Sequence, residues 1–166
     1  MACLYARAYQ ADSAVKHLRI FSTNFCSPNS FHLNGDQKGG QYAAGTYRPF
    51  TLEGNFAFAQ GIHELLLQSR MGYVDVFPAV PKSWSDVSFD KLRTEGAFII
   101  SASIKNGVPA IVKVVSEKGG RLNIKLPFKT WLSKSLPQSA FKTNDTGIVS
   151  VNLKKGQTII FENGYE

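Results

Sequence analysis

The chain has 166 residues, 43% of them hydrophobic, which fits one domain, or a small domain plus a fragment, and excludes a disordered tail. Its formal net charge of +7 comes from 19 basic and 12 acidic residues spread along the chain, with no cluster beyond Lys154-Lys155. Nucleic-acid binders concentrate charge on one face, so this diffuse excess argues for a solvated surface and against nucleic acid as a partner.

Residues 1–7 carry no apolar stretch followed by a cleavage site, so no signal peptide is visible, and no apolar run approaches a bilayer span. If the protein is exported, its signal is expected outside this chain. Ala2 to Tyr9 reads as a short helix, and Asp12-Ser13 are expected to cap a second one to about Thr23. Val15, Leu18 and Phe21 are spaced three apart there and share a face. Cys3 and Cys26 lack metal or redox spacing and are expected as buried free thiols, which leaves the compartment open.

From Asn24 to Pro49 the pattern dissolves into Ser, Asn, Gly, Pro and Gln, a long loop of the kind that often faces ligand. A third helix is predicted from about Asn55 to Ser69, with Phe58, Ile62, Leu65, Leu66 and Ser69 on one face and Glu64 and Gln68 turned away. Asn55 is expected as its N-cap, and Gly72 fits its exit. Three helices with one long excursion do not enclose a core, so their apolar faces call for partners.

After Gly72 the period becomes two. Strands are predicted at 73–77, 98–104, 110–115, 121–126, 148–153 and 158–161, with Asn106-Gly107 as a strong hairpin signal and Lys155-Gly156 between the last two. The expectation is an α+β chain in two parts: a helical segment over 1–71 and an antiparallel β-sandwich over 72–166. No internal repeat joins the halves.

The segment Phe50-Thr51-Leu52-Glu53-Gly54-Asn55-Phe56 resembles the Phe-Gln-Ile-Asp-Gly-Asn-Phe-Gly signature of glycoside hydrolase family 95, the inverting α-L-fucosidases and their α-L-galactosidase relatives. In the same order follow Gly61-Ile62-His63-Glu64-Leu65-Leu66-Leu67-Gln68-Ser69, similar to the family's next helix, and Val76-Phe77-Pro78-Ala79-Val80-Pro81-Lys82-Ser83-Trp84, similar to its proline-rich turn. Leu92-Arg93-Thr94-Glu95-Gly96-Ala97-Phe98 and Ser116-Glu117-Lys118-Gly119-Gly120 resemble two further family segments. The resemblance covers Phe50 to Phe128 closely, Ala2 to Phe25 loosely, and the last forty residues by strand pattern alone. It implies that 1–71 are the last helices of an (α/α)6 catalytic barrel and 72–166 the sandwich behind it. A bacterial-type parent, exported to periplasm or medium, is part of what it implies.

Inverting glycosidases need an acid on the leaving oxygen and a base on a water across the bond. The resemblance implies that the acid, a Glu, and two water-holding Asn lie upstream of this chain, leaving the signature carboxylate, here Glu53 where the family has Asp. Three readings of Glu53 stand side by side: a retuned base, a carboxylate that touches substrate in a weakly active member, or a loop carboxylate favoured by the helix macrodipole. Tyr47 is a candidate to stack on a sugar and Arg48 to donate to its hydroxyls, or Tyr47 packs and Arg48 is solvated. His32, in the long loop, is the histidine placed to face ligand, whereas His17 and His63 sit within helices.

No metal-ligand spacing, phosphate loop or nucleophile elbow is present in the sequence, and no metal or cofactor is expected. Trp84 and Trp131 read as packing residues. The expected function is the C-terminal region of a family 95-like protein whose parent hydrolyses terminal α-L-fucosyl or α-L-galactosyl groups with inversion, this chain alone being inactive. The alternative is a non-catalytic sandwich module that binds glycan or props a partner domain. An oligosaccharide partner through the parent, no membrane, and a homodimer through the helical half complete the expectations.

Overall fold

The computed structural model describes residues 1–164, with the side chains of Tyr47 and Arg48 outside that description. The chain forms two compact units, Met1–Leu65 and Leu66–Glu166.

The first unit holds α1 (Ala2–Arg7), α2 (Ala11–Asn24), the paired short strands β1 (Leu33–Asn34) and β2 (Tyr47–Phe50), and α3 (Leu52–Leu66). Asp12 does not cap α2; Gln10 takes that position, and Asp12 sits inside the first turn, where the macrodipole favours an acid. Ala6, Ala14, Leu18 and Leu65 are buried. The polar stripe expected to face away from α3 is instead drawn in. Glu64 is buried and accepts from Arg7 Nε of α1 at 3.0 Å and from Gln60 Nε2 at 3.0 Å, so its charge is paired rather than solvated. The thiols of Cys3 and Cys26 are free but only half-buried.

α3 ends at Leu66, before the predicted Ser69, because Leu67-Gln68-Ser69-Arg70 pair as a strand instead. This is β3 (Leu67–Arg70), joined to β4 (Tyr73–Val76) by a two-residue turn at Met71-Gly72 with φ of 59° and 79°. Two consecutive positive φ values are the primed turn that matches the twist of a hairpin, so Gly72 closes a hairpin rather than a helix.

The remaining strands are β5 (Val87–Thr94), β6 (Phe98–Lys105), β7 (Val108–Ser116), β8 (Gly120–Lys125), β9 (Trp131–Ser133), β10 (Lys142–Thr143), β11 (Ile148–Leu153) and β12 (Thr158–Asn163). Together with β3 and β4 they form two five-stranded sheets among the described residues, ordered β10-β11-β8-β4-β3 and β5-β6-β7-β12-β9. Inward side chains alternate along each strand, as Phe98, Ile100, Ala102 and Ile104 do on β6. Phe98, Ile100 and Ala102 meet Leu122 and Ile124, Val149 and Val151, and Val74 and Val76 from the other sheet in one core. Two sheets sharing a core make a sandwich. Asn106-Gly107 closes the β6–β7 hairpin with φ of 51° and 75°, the backbone that this dipeptide favours.

The sandwich departs from the expected antiparallel pattern at one pair. β4 and β8 run parallel, with Val74 opposite Ile124 and Asp75 opposite Lys125. β5, β6 and β7 of the other sheet lie between them in sequence, a crossover long enough for a parallel return. Lys155-Gly156 likewise closes no hairpin, since β11 and β12 belong to different sheets and the turn carries the chain across.

Candidate functional site

The signature segment Glu53-Gly54-Asn55 lies on the first turn and a half of α3, because the helix starts at Leu52, three residues before its predicted start. Asn55 is therefore inside the helix and not its cap. Its amide reaches sideways to the long loop: Oδ1 accepts from the His32 backbone N–H at 2.9 Å and Nδ2 donates to the Ser30 carbonyl at 2.8 Å. One side chain thus fastens two backbone groups of a loop that carries little secondary structure of its own.

His32 completes the fastening. Its backbone carbonyl accepts from Thr51 N–H at 3.0 Å, and its Nδ1 lies 3.1 Å from the Thr51 carbonyl and 2.6 Å from the Thr51 hydroxyl. A carbonyl only accepts, so the tautomer protonated at Nδ1 satisfies that pair. The ring packs on Phe21 of α2 with centroids 5.1 Å apart and lies against Gly54, where a Cβ would sit 2.5 Å from the ring Cγ. Glycine is the residue that lets the imidazole lie flat on the helix. The half-buried ring is thus committed to an anchor joining α2, the loop and α3.

Asp36 is the second anchor of the loop, and sequence reading did not single it out. Its buried carboxylate accepts from the backbone N–H groups of Lys38 at 2.7 Å and Tyr42 at 3.0 Å and from Asn24 Nδ2 at 3.1 Å. Donation from Lys38 above all, then from Tyr42, Asn24 and Gln41, outweighs burial and holds the carboxyl below its ordinary range. The signal was present in Asn34-Gly35-Asp36, a turn run in which an Asp commonly bonds the backbone two residues on.

Between these anchors lies an open cleft of about 910 Å³, entirely within the first unit. Phe21 and Phe58 line it as a stacked pair 5.5 Å apart and 27° off parallel. Asn55, Ser27 and Ser30 line the loop side, and Cys26 lines it with a thiol that burial pushes up. The cleft was invisible in the sequence because its walls come from segments about thirty residues apart.

Glu53 is exposed on the first turn of α3. Successive helical residues turn by about 100°, so Glu53 and Asn55 point about 160° apart around the axis, and Glu53 does not line the cleft. Tyr47 and Arg48 belong to β2 by their backbone, and as predicted contacts they lie outside the described residues. His17 is half-buried, with Nδ1 at 2.9 Å from the Ser13 carbonyl and its ring on Tyr5. The structure therefore brings His32 and Asn55 together, with Asn55 lining the cleft, and leaves Glu53 on another side of α3. Among the described residues no group of three or more His, Cys, Asp or Glu is placed to hold a metal ion, and no helix is long and apolar enough to cross a membrane.

Compared with known proteins, residues 68–161 match the family model described as glycoside hydrolase family 95, C-terminal domain. The match starts at Gln68 on β3 and ends at Phe161 on β12, so it spans both sheets of the second unit. No curated protein matches the chain.

Proposed function

The chain belongs to glycoside hydrolase family 95 through its C-terminal domain, and from this premise we propose that it is the C-terminal region of a protein that hydrolyses terminal α-L-fucosyl or α-L-galactosyl groups with inversion. The observation that carries the reading is continuity. The family match begins two residues after α3 ends, and α3 opens on the Glu53-Gly54-Asn55 signature. In this reading Met1–Leu65 are the closing helices of an (α/α)6 catalytic barrel, and Glu53 is the carboxylate that helps activate water.

Two features support the role of Glu53. It stands in the first turn of α3, on the segment that resembles the family signature. It is also exposed, so its carboxylate is accessible to water. The general acid comes from a segment that precedes these helices in the family, so the chain by itself hydrolyses nothing.

Turnover of an aryl α-L-fucoside and an aryl α-L-galactoside tests the reading. The chain alone is expected to be inactive. Expressed in line with the barrel segment that precedes the signature, it is expected to turn over one of the two, with Glu53→Gln lowering kcat by about 10²–10⁴-fold. Turnover by the isolated chain, or a Glu53→Gln variant of the longer protein with unchanged kcat, refutes it.

A further inference from the structure

We propose that Asn34 is a site of spontaneous covalent modification, at which the chain converts its Asn34-Gly35 bond through a cyclic imide to isoaspartate and aspartate. Three Asn-Gly pairs occur in the sequence, Asn34-Gly35, Asn106-Gly107 and Asn163-Gly164, and all three asparagines are exposed. Glycine has no Cβ to keep an asparagine side chain away from the amide that follows it, so each pair has the right chemistry. What separates the three is the state of the glycine N–H, whose nitrogen is the nucleophile.

At Gly107 that N–H donates to the Ser85 carbonyl at 2.7 Å, and at Gly164 to the Thr130 carbonyl at 3.0 Å. Each bond must break before the nitrogen can turn on the side chain. Gly35 differs. Its carbonyl accepts from Gln37 Nε2 at 3.0 Å, while its N–H has no hydrogen-bond acceptor among the described residues.

The surrounding backbone ranks the pairs in the same order. Asn106 stands in the tight turn between β6 and β7, and Asn163 ends the six-residue β12 opposite Trp131. Asn34 ends a strand of two residues, with a register shift between Leu33 and Asn34. A segment held by so few bonds opens locally at little cost. The fold also requires the glycine here, since its φ is 86° and a Cβ would run into the Gly45 carbonyl.

The reaction needs only water. The Gly35 nitrogen bonds to Asn34 Cγ, the Cγ–Nδ2 bond breaks, and the proton lost from Gly35 leaves with the departing ammonia. Water then opens the ring at either carbonyl. Opening at the Asn34 backbone carbonyl routes the main chain through Cβ and Cγ, which is isoaspartate; opening at Cγ gives aspartate. Either product carries a carboxylate where a neutral amide stood. The isoaspartate also lengthens the main chain by a methylene two residues before Asp36, the anchor held by Lys38 N–H, Tyr42 N–H and Asn24.

Incubation of the full chain in mildly alkaline buffer, with peptide mass spectrometry over time, reads all three sites in one sample. Methyl transfer by an isoaspartyl methyltransferase marks the isoaspartate. Breaking one amide–carbonyl hydrogen bond slows a site by roughly five- to tenfold, so Asn34 is expected to convert faster than Asn106 and Asn163 by at least roughly that factor. In urea all three amides are released and the three rates are expected to converge, which assigns the ranking to the fold. Asn34→Ser is expected to remove the first acidic species seen on isoelectric focusing and to leave the other two sites at their own rates. Asn106 or Asn163 converting as fast as Asn34 in the folded chain, an unchanged Asn34 while the unfolded chain converts, or the same ranking kept in urea overturns the proposal.

Discussion

Replacing Gly54 by alanine puts the interplay of helix and loop to a quantitative test. In a helix taken alone the change gains about 1 kcal/mol, because glycine is the poorer helix former by that amount. Here the new Cβ would lie 2.5 Å from His32 Cγ, and closer still to Nδ1, so the imidazole must leave its seat. Moving it forfeits the bond to Thr51, about 1 kcal/mol, and the packing on Phe21, about another 1 kcal/mol, with about 1 kcal/mol of strain besides. The net expectation is a loss of about 2 kcal/mol. With His32→Ala in the background the obstacle is gone and the sign reverses, Gly54→Ala then adding up to about 1 kcal/mol of stability. The coupling across the double-mutant cycle is then about 3 kcal/mol. Urea unfolding followed by ellipticity at 222 nm reports on this unit, since α1, α2 and α3 carry the α-helix among the described residues. A Gly54→Ala variant more stable than the parent, with no coupling to His32, would show that the imidazole is free to move and that the anchor is not one.

Two further outcomes follow from the same unit. Because Asp36 titrates below its ordinary range when folded, its contribution is complete above the unfolded carboxylate value of about 3.9 and is lost as pH falls through the lower folded one; ellipticity at 222 nm should show the helical unit melting along an acid limb that Asp36→Asn flattens, and an unchanged limb contradicts the role given to Lys38 N–H. Phe31, Phe50 and Phe56 are 43%, 56% and 69% exposed, so the chain is expected to dimerise through its helical half, and sedimentation should find this insensitive to salt and reversed by Phe56→Ser, whereas a monomer at high concentration rules it out.

Elements whose reasons are local could be read from the residues. Asn106-Gly107 dictates its turn wherever it stands, and the alternation in Phe98-Ile99-Ile100-Ser101-Ala102 names its buried face without knowledge of the other sheet. The ends of α3 were misplaced because their reasons lie elsewhere. Asn55 has the composition of a cap, but Ser30 and His32 claim its amide, and both are more than twenty residues away. Leu65-Leu66-Leu67-Gln68-Ser69 satisfies a helical period and a strand equally well, and pairing with β4 decides it. Glu64 looked solvent-facing until Arg7 of α1 arrived to pair it. The same holds for the site. The signature could be found by resemblance, but its contact with His32 and the Phe21–Phe58 floor needs three segments folded together, and the parallel β4–β8 pair depends on which sheet a strand joins, which no turn residue encodes.

The placement of β3 gives the last expectation, on where the sandwich begins. Composition changes at Gly72, yet Leu67 is 1% exposed and belongs to the sandwich core. β3 also gives β4 its outer partner from Leu67 opposite Val76 to Arg70 opposite Tyr73. Ser69 Oγ accepts from the Glu95 N–H at 2.8 Å, tying this sheet to the segment that follows β5. A chain of residues 66–166 keeps all of this; a chain of 72–166 loses it. The burial of Leu67 is worth about 2 kcal/mol and the hydrogen bonds together about 1 kcal/mol net, so the shorter chain is expected to be about 3 kcal/mol less stable. With a urea slope of about 1.5 kcal/mol/M for a domain of this size, its midpoint should fall by roughly 2 M. Trp84 and Trp131 both lie in this unit and report the transition by fluorescence. Equal midpoints for the two chains would mean that β3 adds nothing to the sandwich and that its pairing is an extension of α3. A chain of 66–166 without a cooperative transition would mean that the shared core of the two sheets does not suffice and that the sandwich needs Met1–Leu65 to fold.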